Sequence, residues 1–196
     1  MKVNLPGFLQ RNKLSEVLLG SKYRKIMHIS DTPDNIYPFI LNLVERVKPD
    51  YIIHTGDLVD NIKLERKPEL RNKYENSLKE LLLILENSGA EIYIVPGNED
   101  DIEILRQNVR TSKIIPPGSV VEIEGVKLAL GHEYKDVVEI NGVDFKLYGH
   151  NFRLIPKGIN GVLGINFILL PNKRVVSVEY PKGTNFERGY RLARGL

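Results

Sequence analysis

Three strand-length apolar runs alternate with stretches of helical spacing over the first half of this chain, and that order constrains its topology more than any other feature. Ile26 to Ser30, Tyr51 to His54 and Glu91 to Val95 are short and apolar, and each ends in polar or turn-forming residues, the pattern of buried strands. Between the first two, Ile36, Phe39, Ile40, Leu43, Val44 and Val47 recur at helical spacing until Pro49. Between the second and third, Ile62 to Lys73 reads as a loop or a short helix broken at Pro68. Tyr74 to Asn87 then reads as a strong helix capped near Gly89. Asp100 to Asn108 reads as a further helix. A β-α-β-α-β order with right-handed crossovers gives a parallel sheet.

The second half changes character. Val120 to Ile123 and Val126 to Leu130 flank Glu124-Gly125, and Val137 to Ile140 and Val143 to Tyr148 flank Asn141-Gly142. Both pairs read as hairpins, the second on the strength of Asn-Gly. Val162 to Leu170 and Arg174 to Tyr180 read as strands. The expectation is an α/β (α+β) chain: a parallel half joined to an antiparallel half in one domain over 25–181. Residues 1–24 read as an N-terminal extension packed on it. Residues 182–196, rich in Gly and Arg, read as a basic surface tail.

A length of 196 residues suits a single domain. Hydrophobic residues make up 42% and charged residues 27%, which excludes a disordered, fibrous or membrane-embedded chain. Leu81 to Leu85 and Phe167 to Leu170 are the longest strongly apolar runs, far short of the ~20 residues of a membrane span. With no signal-peptide pattern, a cytoplasmic protein is expected. Cysteine is absent, so chemistry must rest on His, Asp, Glu, Asn or hydroxyls. The net charge of +3 is too weak to argue for nucleic acid. The charge run Lys63 to Lys73 mixes both signs and reads as a solvated face. Pro6-Gly7-Phe8-Leu9 reads as a packing contact or a homo-oligomer contact.

Polar residues collect where strands end. The runs lead into Ser30-Asp31, Gly56-Asp57-Leu58-Val59-Asp60, Gly97-Asn98-Glu99-Asp100, Gly131-His132 and Gly149-His150-Asn151. In open α/β sheets ligands bind beyond the carboxyl ends of strands. Five such ends would set Asp31, Asp57, Asn98, His132 and His150 around one crevice. One Asp or Asn after a strand is ordinarily a turn or a cap. Five together, four of them preceded by glycine, point instead to a metal. Carboxylate, amide and imidazole donors suit Mn, Fe, Zn or Ni better than Ca or Mg.

These motifs, in this order, resemble those of the calcineurin-like metallophosphoesterases over about residues 25 to 152. The resemblance implies a two-sheet β-sandwich flanked by helices. It also implies two metal ions bridged by one carboxylate, and hydrolysis of phosphomonoesters or phosphodiesters. By resemblance Asp57 is the bridge, and Asn98, His132 and His150 complete one site. The second site departs from the family. Its Asp-x-His is Asp31-Thr32-Pro33, and its Gly-His-x-His is Gly149-His150-Asn151-Phe152. Neither Pro33 nor Phe152 can ligate, which leaves Asp31 and the shared Asp57, with Asp34 or Asn151 as substitutes at unmatched spacing. The family's Gly-Asn-His is Gly97-Asn98-Glu99, so Glu99 stands where the family acid stands, as a general acid or an inward-turned ligand, with Asp60 and Asp100 in support.

The implied protein has one retained divalent-metal site and impaired hydrolysis of a phosphate-containing small molecule. The alternative is a non-catalytic module that binds metal, phosphate, nucleotide or a protein partner.

Overall fold

The apolar runs pair in parallel in the computed structural model, which describes residues 16–20 and 22–190. Strand β1 (Arg24–Ile29) lies beside β2 (Tyr51–His54), β2 beside β3 (Glu91–Ile94), and β3 beside a short β4 (Lys113–Ile114). Helices α2 (Tyr37–Val47), α3 (Arg71–Glu86) and α4 (Ile102–Asn108) make the three crossovers. On the other side of β1, β9 (Ile165–Leu170) and β10 (Arg174–Val178) join antiparallel, giving the order β10-β9-β1-β2-β3-β4. A second sheet holds β5 (Ser119–Ile123), β6 (Val126–Leu130), β7 (Phe145–Tyr148) and β8 (Gly158–Asn160) in that order.

Side-chain alternation explains the layering. Ile26, Ile53, Ile168 and Leu170 point from the first sheet toward Val126, Leu128, Leu130, Leu147 and Ile159 of the second. Met27, Ile29, Ile52, Ile92, Ile94, Phe167 and Leu169 point the other way, onto the helices. There α2 buries Tyr37, Ile40, Leu43, Val44 and Val47, and α3 buries Tyr74, Leu78, Leu81, Leu82 and Leu85, stripes at helical spacing. Each fully buried aliphatic chain contributes about 1.5–3 kcal/mol. Strand β9 is buried along its whole length and is apolar except at Asn166. The two sheets flanked by helices are the architecture that the motifs imply.

Several expectations change. The Glu124-Gly125 hairpin forms. The Asn141-Gly142 hairpin does not: Tyr134–Val137 is a short helix (α5), and β7 runs parallel to β6. Glu133 and Asp136 form a reciprocal capping box that closes this helical turn, and residues 138–140, where the strand is expected, form none. The second sheet is therefore mixed. Val162 to Leu170 starts as a strand only at Ile165, after a separate β8. Of the N-terminal segment, Glu16–Leu19 is helical (α1) and Leu18 is buried in the core; Pro6-Gly7-Phe8-Leu9 lies outside the described residues. The C-terminal segment forms α6 (Thr184–Glu187) and then departs from the surface reading, because Arg188 is 2% exposed. Residues 191–196 lie outside the described residues.

Candidate metal centre

The carboxyl ends of β1, β2, β3, β6 and β7 meet at one edge of the sandwich. Main-chain bonds lock them together: Asp31 and Thr32 N–H donate to Gly56 and Asp57 carbonyls, and Gly149 N–H donates to that of His132. Asp31, Asp57 and His150 all adopt positive φ, of 52°, 54° and 66°. Such angles in residues other than glycine cost energy and concentrate at functional sites.

Of the four glycines that directly precede polar site residues, Gly56 has a left-handed φ, 98°. Gly97 is glycine for room instead. A Cβ there would overlap Asp57 Oδ1 and come within 2.8 Å of His132 Cε1.

The sequence-predicted residues divide into two groups that share Asp57. Asp57, His132 and His150 offer ligand atoms within 4.8 Å of one another, and so do Asp31, Asp57 and Asp60. His132 Nε2 lies 3.1 Å from His150 Nδ1, 3.1 Å from Asn98 Oδ1 and 3.5 Å from Asp57 Oδ2. His132 Nδ1 lies 2.8 Å from the Thr55 carbonyl oxygen, which can only accept. The ring proton therefore belongs on Nδ1, and Nε2 presents a lone pair to two oxygen acceptors. The third neighbour, His150 Nδ1, either donates its proton to that lone pair or shares a cation with it. That donor set fits a transition-metal ion, with the Thr55 carbonyl orienting the imidazole.

The second group holds three carboxylates no more than 3% exposed. Burial raises the Asp57 pKa well above its usual value, and the charges of Asp31, Asp100 and Asp60 add to it. Burial also raises Asp60, to about 7, with Asp31 adding and Lys63 opposing. Asp60 Oδ2 is buried with no hydrogen-bond partner. Such a cluster calls for positive charge.

The motifs predict Asp31 and Asp57 as ligands of this second group, with Asp60 in support. The substitutes Asp34 and Asn151 are turned away: Asp34 accepts from Asn61 and Ser77, and Asn151 Oδ1 accepts from Arg153 N–H. Asp60 comes instead, three residues after Asp57, because its N–H donates to the Thr32 carbonyl and turns the loop inward.

Glu99 and Asp100 take distinct places. Glu99 is 6% exposed and its Oε2 accepts the Glu65 N–H at 2.9 Å, while its own N–H donates to Asp57 Oδ1. It belongs to neither ligand group. Asp100 accepts from the Asp57, Leu58 and Gly97 N–H groups and from the Tyr74 hydroxyl, so it braces the loop that carries Asp57.

Two unforeseen residues come from the C-terminal segment. Arg188 donates to the Ser30, Asp31 and Val162 carbonyls and stacks on Tyr180. The Tyr190 hydroxyl bonds the His150 carbonyl, and its ring packs on Phe152, with centroids 4.8 Å apart. Their distance along the chain from every strand end left no local signal.

The family model described as calcineurin-like phosphoesterase matches residues 24–145. That span contains Asp31, Asp57, Asp60, Asn98 and His132. No curated protein sequence matches the chain. Among solved structures, one superposes with a TM-score of 0.54 at 12% identity, covering 81% of this chain and 99% of its own. YfcE, a phosphoesterase from E. coli, superposes with a TM-score of 0.50 at 18% identity, covering 78% of this chain and 97% of its own. Identities this low speak for the fold. Among the described residues no helix is long and apolar enough to cross a membrane. Matched by the model over more than half its length, the chain belongs to the calcineurin-like phosphoesterases.

Proposed function

We propose that the chain is a divalent-metal-dependent phosphoesterase with one complete metal site, made by Asp57, Asn98, His132 and His150. Its substrate is a phosphate-containing small molecule, and its turnover is below that of a two-metal phosphoesterase. The observation that carries this reading is the His132 ring, whose Nε2 faces Asn98 and Asp57 oxygens while Nδ1 is held by the Thr55 carbonyl.

Family membership supplies the reaction class, and the donor set supports Mn, Fe, Zn or Ni. Those four residues would hold the ion, which when bound would supply Lewis-acid polarisation of a phosphoryl oxygen and a water activated at neutral pH. The chain's own part is orientation. Asp100 fixes the Asp57 loop, and the Glu99 N–H fixes Asp57 Oδ1. In this reading Glu99 is a positioning residue, whose Oε2 holds the Glu65 N–H.

The test is hydrolysis of a chromogenic phosphodiester with added manganese, wild type against Asp57→Ala. Turnover in the wild type that is lost in the variant is expected. Equal rates in the two proteins would refute the assignment.

A further inference from the structure

The buried Asp31–Asp57–Asp60 group calls for positive charge, and the chain carries a candidate of its own. Lys63 forms an ion pair with Asp60 Oδ1, and its side chain is 30% exposed against 1% for Asp60. Its position is set by its neighbours. Ile62 is buried in the core, Leu64 packs against it, and the Glu65 N–H is held by Glu99. The residue that replaces the family histidine thus ties down the segment that presents Lys63.

Two cations act on Asp60, Lys63 and Arg188. Arg188 is committed: its Nε, Nη1 and Nη2 donate to three backbone carbonyls and Asn185 Oδ1. Lys63 is not. An ammonium has three donors, and among the described residues this one makes a single hydrogen bond, to Asp60.

We propose that Lys63 stands in for the second metal ion: its ammonium, held on Asp60 beside Asp31 and Asp57, binds a non-bridging oxygen of the substrate phosphate. The inference rests on the single-metal phosphoesterase reading. It accounts together for three departures from the motifs that the resemblance implies: Pro33 and Phe152 stand where metal ligands are implied, and Glu99 anchors the segment carrying the replacement charge. A lysine serves here as a point charge whose remaining N–H groups face the phosphate.

The test is manganese content by elemental analysis, with calorimetric binding of inorganic phosphate to the manganese-loaded protein. One manganese per wild-type chain is expected. Lys63→Gln is expected to weaken phosphate binding about tenfold or more, the scale of one charge-assisted hydrogen bond. Lys63→Arg should retain most of the affinity. Because Lys63→Gln leaves Asp60 buried and unpaired, the double variant Asp60→Asn, Lys63→Gln serves as the folded check and should show the same loss. Two manganese ions per wild-type chain would overturn the proposal. So would one manganese with phosphate affinity unchanged in both variants, a result that leaves the single-site reading intact. A wild type that takes up no manganese would overturn that reading as well.

Discussion

His132 Nδ1 lies 2.8 Å from the Thr55 carbonyl oxygen, and this contact decides which ring nitrogen faces the site. A backbone acceptor cannot be mutated away, but the imidazole can be changed. In His132→Gln the amide cannot both donate to Thr55 and present a nitrogen lone pair. Manganese affinity should fall at least about tenfold, the lower end for disturbing an oriented metal ligand. Titration calorimetry checks this, and unchanged affinity would remove His132 from the ligand set.

Gly97→Ala should damage the same site through space alone. The added Cβ would overlap Asp57 Oδ1 and sit 2.5 Å from the Asp57 nitrogen. Overpacking of this kind costs about 1–3 kcal/mol. Weaker manganese binding and a lowered melting temperature are both expected. A variant that melts and binds like wild type would show that the loop yields at no cost.

Asp101→Ala is expected to separate stability from function. The Asp101 side chain caps α4, accepting from the Glu103 and Ile104 N–H groups. Its loss should cost about 1 kcal/mol. Denaturant unfolding measures that cost, and manganese affinity should not change. A change in affinity would mean that the α4 cap and the neighbouring Asp100 brace are coupled.

Buried histidines set the acid response of the metal-free protein. Burial lowers the pKa of His28 to about 3, and that of His54 likewise, from an ordinary value of 6.5. The unfolded chain therefore binds protons that the folded chain refuses. Each histidine contributes stability above pH 6.5 that is lost as pH falls toward 3. Asp57 and Asp60, raised in the fold, oppose this slope, so the informative quantity is a difference. His28→Gln should lose less stability than wild type between pH 7 and pH 4. Parallel curves for the two proteins would contradict the assignment of His28 as buried and neutral.

Local pattern made the strand-end residues legible. Asp31, Asp57, Asn98, His132 and His150 each follow an apolar run, and the parallel strands β1–β2–β3 of one sheet and β6–β7 of the other bring those ends together. Asn141-Gly142 misled because a turn dipeptide reports a chain reversal and not which elements it joins; here it lies between α5 and β7. Asp60 was legible as a loop acid but not as a buried one, since its burial depends on the Thr32 carbonyl across the crevice. Lys63 was hidden in a charge run whose next residues, 65 to 69, are exposed. Arg188 and Tyr190 arrive from the end of the described chain, where neither periodicity nor spacing encodes a tertiary contact.

One transition-metal ion is expected at Asp57, Asn98, His132 and His150. Anomalous diffraction from a crystal soaked in manganese tests it most directly. One strong peak is expected within coordination distance of oxygen or nitrogen atoms of those four residues. No peak there, or a peak held by other residues, would contradict it.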